Sequence, residues 1–215
     1  MRDQYYEQLD LIVDELVTIT DRVRTAVADA TTALLDADIV VAERVIAEEV
    51  SIEETIDDVE ERSLILLATQ QPVATDLRQL VSTLRMVADL QRMSHLAVHI
   101  AKVARRKMPD SAVPLPVQPI IRDMSVVADS MIGSAARIVS DRDVNAAAQL
   151  ELEDDEMDRL RKELFRVTLA EGWEHGVDAA IDLALLGRYY ERVGDHAVNM
   201  ARRVVYLVTG ELPVA

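Results

Sequence analysis

The chain contains no cysteine, and this absence excludes disulfide bonds, thiolate catalysis and zinc sites built from cysteine. Aromatic residues make up only 3% of its 215 residues, although hydrophobic residues make up 50%. The hydrophobic core must therefore be built almost entirely from aliphatic side chains. A composition dominated by alanine, leucine, valine, glutamate, aspartate and arginine is typical of helical proteins.

Positive charge and long apolar runs are also in short supply. The chain has 23 basic and 39 acidic residues, for a formal charge of −16. The electrostatic field of this negative charge repels nucleic-acid phosphates and anionic lipid. No apolar run approaches the roughly 20 residues of a membrane span, and the start, MRDQYYEQLD, is too polar for a signal peptide. We expect a soluble cytoplasmic protein with no nucleic-acid partner and no direct membrane insertion.

Helical periodicity, by contrast, runs through nearly the whole sequence, and strand-like alternation is absent. Pro72 suits the first position of a helix, whereas PDSAVPLPVQP (109–119) holds four of the six prolines and predicts an extended, non-helical linker. The pattern predicts six helices at about 3–34, 38–69, 72–107, 120–140, 143–171 and 177–209.

The two halves of the chain are related by an internal duplication. The segment 88–106 aligns with 188–206 at an offset of 100 residues, and 36–46 resembles 141–151 at an offset of 105. Three antiparallel helices in each half can bury one shared core. The sequence therefore predicts an all-α fold of two three-helix bundles in tandem, with the first bundle at 1–108, the linker at 109–119 and the second bundle at 120–215.

Two pairs of carboxylates in the second half suggest a metal site. Asp154 and Asp158 stand four residues apart on the fifth helix, and Glu191 and Asp195 stand four apart on the sixth. Buried carboxylates need cations, and an oxygen cage suits Mg²⁺, Ca²⁺, Mn²⁺ or iron. Gly194, which is unfavourable inside a helix, would leave room for the partner helix or the ion. The alternative is a solvated face with intrahelical ion pairs, because Arg188 and Arg192 precede Glu191 and Asp195 by three residues.

The first half departs from this pattern. Glu49 and Glu53 match the pair on the fifth helix, but Gln91 and His95 stand where the second half has Glu191 and Asp195. A neutral His95 would suit a transition metal, and the alternative is a histidine that only makes a hydrogen bond. We therefore treat Glu49, Glu53 and His95 as a second candidate set.

Enzyme signatures are missing from the sequence. It has no glycine-rich phosphate loop, no His-Glu-x-x-His and no Gly-x-Ser-x-Gly. None of the four histidines follows a glutamate by three residues, which argues against a ferritin-like di-iron centre. We expect no enzyme, with a metal-binding bundle of storage or hydrolytic function and a plain structural scaffold as the alternatives.

The chain resembles the PhoU family of phosphate-signalling regulators. The resemblance is carried by LLATQQPVATDLRQLVSTLRMVADLQRM (66–93), LEDDEMDRL (152–160) and ALLGRYYERVGDHAVNMARRV (184–204). It extends over both repeats. The segment LQRMSHLAVHIAK in the first repeat looks most like the actinobacterial branch called PhoY.

This resemblance implies a fold of tandem three-helix bundles and a function. PhoU-like proteins are cytoplasmic adaptors, usually homodimers, between the phosphate ABC transporter and a sensor histidine kinase. They keep the phosphate-starvation response off when phosphate is plentiful. The family's acidic motifs, which can hold metal clusters, correspond here to Asp154, Asp158, Glu191 and Asp195, and Glu49 and Glu53 match them in the first repeat.

Overall fold

Six α-helices account for nearly all of the computed structural model, which describes residues 2–211. The prediction of an all-α fold is confirmed, since the described residues contain no strand. None of the described helices is both long enough and apolar enough to cross a bilayer. The helices are α1 (Arg2–Asp36), α2 (Ile39–Gln70), α3 (Ala74–Lys107), α4 (Gln118–Asp141), α5 (Val144–Thr168) and α6 (Gly176–Thr209).

The same turn begins the second helix of each half. Asp38 caps α2 by accepting hydrogen bonds from the amides of Val40 and Val41, and Asp143 caps α5 by accepting from Asn145 and Ala146. An aspartate at this position satisfies amide groups that have no partner within the helix. The repeat seen in the sequence is thus a repeat of local hydrogen bonding.

Three predicted boundaries differ from the structure. Pro72 does not begin α3, because Gln71 adopts a left-handed conformation and Val73 an extended one, so that the helix starts only at Ala74. The segment 109–119 is not wholly extended: a 3₁₀ turn covers Leu115–Val117, and α4 begins at Gln118. Proline in the first turn of a helix is compatible with its fixed φ. The fifth helix ends at Thr168 rather than near residue 171.

The two bundles lie side by side and share one core. Within the halves, α1, α2 and α3 pack together, as do α4, α5 and α6, while α1 also packs on α4 and α3 on α6. Buried residues from all six helices form one continuous cluster. The core is aliphatic as predicted, with Tyr190 its largest fully buried side chain. The four central helices therefore hold α2 and α5 on opposite flanks.

Charged pairs cross the interface between the bundles. Arg24 on α1 makes two hydrogen bonds to Asp129 on α4, at 2.6 and 2.7 Å. The buried carboxylate of Asp182 on α6 is paired with Arg106 and, at 3.1 Å, with Lys107 at the end of α3. These pairs add polar contacts between the bundles to the shared aliphatic core.

Candidate functional site

The second-half carboxylates lie between α5 and α6. Helix α6 packs against α3, α4 and α5 at once. Glu191 is 9% exposed, and Asp154, Asp158 and Asp195 are partly buried. Burial raises the pKa of the Asp154 carboxyl, and the charges of Asp195, Asp158, Glu191 and Asp155 raise it further. The four predicted residues therefore share one electrostatic environment.

Gly194 has a clear steric function in this arrangement. A Cβ built on Gly194 would stand 3.2 Å from the Asp154 Oδ1 and 3.2 Å from the sulfur of Met131. Few real side chains tolerate contacts this short. The glycine lets the Asp154 carboxylate and the α4 side chain approach the backbone of α6, which agrees with the interpretation drawn from the sequence.

Arginine and lysine already accompany two of these carboxylates. Glu191 is paired with Arg188 and lies 3.8 Å from Arg161. Asp158 lies 3.8 Å from Arg161 and 3.6 Å from Lys162. The alternative of intrahelical ion pairs is thus observed for Glu191. A cleft of about 280 Å³ beside Asp154 and Asp195 is also lined by arginine, from Arg188, Arg192 and Arg202.

The first-half candidates converge more closely. His95 Nε2 on α3 lies 2.8 Å from Glu53 Oε1 and 3.5 Å from Glu49 Oε1 on α2. Within residues 2–211, Glu49, Glu53 and His95 form the set of three or more potential ligands whose atoms all lie within 4.8 Å of one another. The four second-half carboxylates do not gather in this way. Metal binding stays a prediction for both sets.

The chemistry of the first set fits a borderline divalent cation. Two carboxylate oxygens and one imidazole nitrogen suit zinc, iron or manganese better than calcium or magnesium, which prefer oxygen alone. The side chains are partly exposed, at 21% for Glu49, 37% for Glu53 and 43% for His95. Water and an ion therefore have access to the three ligand atoms.

A buried pair at the bundle interface was not predicted. His196 Nδ1 on α6 lies 2.9 Å from Asp89 Oδ1 on α3, and both residues are 8% exposed. The His196 Nε2 is buried without a hydrogen-bond partner among the described residues. A signal was present in the sequence: Asp89 is a carboxylate at a core position of α3, between the buried Met86 and Met93.

Known proteins resemble this chain over nearly its whole length. A protein of Mycobacterium tuberculosis named phosphate-specific transport system accessory protein PhoU homolog 2 is 45% identical over 99% of this chain and 100% of its own length. The Mycobacterium leprae protein of the same name numbered homolog 1 is 43% identical over 99% of this chain and 96% of its own. The crystal structure of PhoU from Pseudomonas aeruginosa matches with a TM-score of 0.88 at 27% identity, over 96% of this chain and 100% of that one. The PhoU domain matches twice, at residues 16–104 and 121–204. The chain therefore belongs to the PhoU domain family.

Proposed function

We propose that this protein is an accessory and regulatory protein of a phosphate-specific transport system. In this proposal it acts in the cytoplasm as an adaptor between the phosphate ABC transporter ATPase and a sensor histidine kinase, and it represses the phosphate-starvation response when phosphate is plentiful. The observation that carries the proposal is the 45% identity with a full-length relative named as such an accessory protein. The proposal is of a binding protein rather than a catalyst.

The architecture supports an adaptor mechanism. One continuous core joins the bundles, and the Arg24–Asp129 and Asp89–His196 pairs also connect them. A partner bound on one bundle is thereby held in a defined orientation to a partner on the other. The adaptor shifts the kinase toward one state only by the difference in its affinity for the two states. A charge of −16 favours basic partner surfaces, and a homodimer would present each surface twice.

We further propose that metal ions occupy the acidic helix faces. Glu49, Glu53 and His95 would hold a zinc, iron or manganese ion, with the imidazole as a neutral ligand. Asp154, Asp158, Glu191 and Asp195 would hold Mg²⁺, Mn²⁺, Ca²⁺ or iron after Arg188 moves away from Glu191. The first cation would join the carboxylates of α2 to His95 on α3, and the second would neutralise carboxylates of both α5 and α6. Each ion would thereby hold two helices together.

The adaptor proposal is tested by deleting the gene in its own host. Alkaline phosphatase and transporter expression should rise in high-phosphate medium, and the wild-type gene should restore repression. Unchanged repression in the deletion strain would contradict the proposal. A kinase-deleted background supplies the control, because the deletion should have no effect there.

A second candidate function, a metal-dependent hydrolase or metal store, is favoured by the convergence of Glu49, Glu53 and His95. Turnover of a phosphate ester that needs Zn²⁺ or Mn²⁺ and disappears in His95→Ala would establish it. Metal binding without turnover would argue against the hydrolase and leave the adaptor and the metal store to be separated by the repression assay.

A further inference from the structure

The first bundle has an extension that the second lacks. Helix α1 is 35 residues long and its counterpart α4 is 24, while α2 is 32 residues and α5 is 25. The extra turns of α1 and α2 lie side by side at the end of the first bundle. Between them is a groove of about 330 Å³ lined by Gln8, Leu11, Ile12, Arg62, Ile65 and Leu66. On α1 these residues precede residue 16, where the first match to the PhoU domain begins.

The walls of the groove are apolar and open to solvent. Leu11 is 53% exposed and Ile65 is 50% exposed, while the other two apolar lining residues, Ile12 and Leu66, are buried. Single exposed leucines are ordinary, but large apolar side chains grouped along a groove between two helices mark an interaction site. A helix laid between α1 and α2 would bury these side chains as the third helix of a bundle does.

Acidic side chains surround the groove. Among the described residues that line it, the one cation is Arg62, which is already paired with Glu15 and, at 2.9 Å, with Asp58. The exposed carboxylates of Glu7 and Asp14 lie one turn before and after Leu11, and that of Glu61 one turn before Ile65. A second copy of this chain would bring the same negative rim against itself. The charge therefore favours an occupant that carries lysine or arginine.

We propose that this groove is a docking site for a basic amphipathic helix of a partner protein. Leucine-like side chains at helical spacing would lie on Leu11 and Ile65, and flanking lysines or arginines would face the carboxylates of the rim. This docking site deepens the adaptor function and rests on it only in that an adaptor needs such a surface.

The test uses the purified full-length protein and a designed probe. The probe is a fluorescent peptide of about 18 residues, leucine on one helical face and lysine on the other, which is long enough to fold on contact. Its affinity is measured by fluorescence anisotropy at about 0.15 M salt, where only nearby charges act strongly. Leu11→Asp and Ile65→Asp should each weaken binding by about tenfold or more, because each removes the burial of one large apolar side chain.

A matched control separates docking from general attraction between opposite charges. Leu152→Asp on α5, where the leucine is 62% exposed, adds the same negative charge away from the groove and should change the affinity by less than about twofold. Equal weakening by Leu152→Asp, or no weakening by Leu11→Asp and Ile65→Asp, would overturn the proposal. So would equally tight binding of a peptide with glutamate in place of lysine.

Two further measurements complete the test. The double variant Asp14→Asn/Glu61→Gln keeps the apolar walls and should weaken binding of the lysine peptide most at low salt, so an unchanged salt dependence would contradict the role of the rim. If sedimentation shows a dimer that Ile65→Asp dissociates, the groove is occupied by a second copy and the proposal is wrong. The adaptor function itself is decided separately, by repression in cells.

Discussion

Replacing Asp89 by alanine tests how the two bundles are joined. The carboxylate accepts or shares the Nδ1 proton of His196 at 2.9 Å, and both side chains are almost entirely removed from water. The His196 Nε2 already lacks a partner among the described residues. In Asp89→Ala, both ring nitrogens of a buried imidazole would therefore be left without a hydrogen bond from the protein.

The expected loss of stability follows from the His196 Nδ1, which loses its hydrogen-bond partner in Asp89→Ala. A buried polar group that loses its partner costs about 1–3 kcal/mol, so we expect the free energy of unfolding to fall by about 2 kcal/mol. For a chain of this size, that corresponds to a melting temperature lower by about 4–8 °C. Asp89→Asn keeps an acceptor oxygen and should cost about 1 kcal/mol or less. Urea unfolding followed by circular dichroism measures all of these changes.

A double-mutant cycle with His196→Ala decides whether the pair itself is responsible. The coupling free energy between the two positions should exceed about 1 kcal/mol, as for residues in direct contact. Asp155→Ala, at an exposed position on α5, is the control and should change the free energy of unfolding by no more than about 0.5 kcal/mol. A coupling free energy below about 1 kcal/mol would refute the assignment of stability to this pair.

Three further predictions concern the charged groups. In chelator, Asp154→Asn should have a higher melting temperature than the wild type at pH 7, because burial raises the pKa of Asp154 and its ionised form destabilises the fold. This advantage should vanish below about pH 4, where the carboxyl is protonated in both the folded and the unfolded state. A melting temperature unchanged at pH 7 would contradict this prediction. The hydrogen bond from Arg24 lowers the pKa of Asp129. The stabilisation of the fold by this ion pair is therefore complete above about pH 4 and is lost as the pH falls through the lowered pKa. The difference in unfolding free energy between wild type and Asp129→Asn should shrink from pH 6 to pH 3, and a constant difference would count against this prediction. Zn²⁺ or Mn²⁺ at about 100 times its dissociation constant should stabilise the wild type by about 2.7 kcal/mol. His95→Ala should lose most of this gain, while the control Gln91→Ala should keep it. Equal stabilisation of His95→Ala would show that Glu49, Glu53 and His95 are not the metal ligands.

The candidate sites were predictable in part, because carboxylates four residues apart on a helix must share a face. That rule placed Glu49 with Glu53, and the repeat offset placed His95 opposite them, as observed. It did not predict that this set would converge more closely than the all-carboxylate set. The reason is the position of two arginine side chains, since Arg188 on α6 and Arg161 on α5 both reach Glu191. Helix spacing alone does not specify this, because such long side chains can adopt several rotamers.

The sequence by itself determined the all-α fold, the six helices and their repetition in two halves. These properties follow from interactions within a few residues of one another, such as apolar periodicity and the aspartate caps of α2 and α5. Only the tertiary structure decided that the bundles share a core, that Asp89 meets His196 across it, and that the longer α1 and α2 enclose a groove. Those contacts join residues far apart in the chain, and their geometry depends on how whole helices pack, which no local pattern specifies.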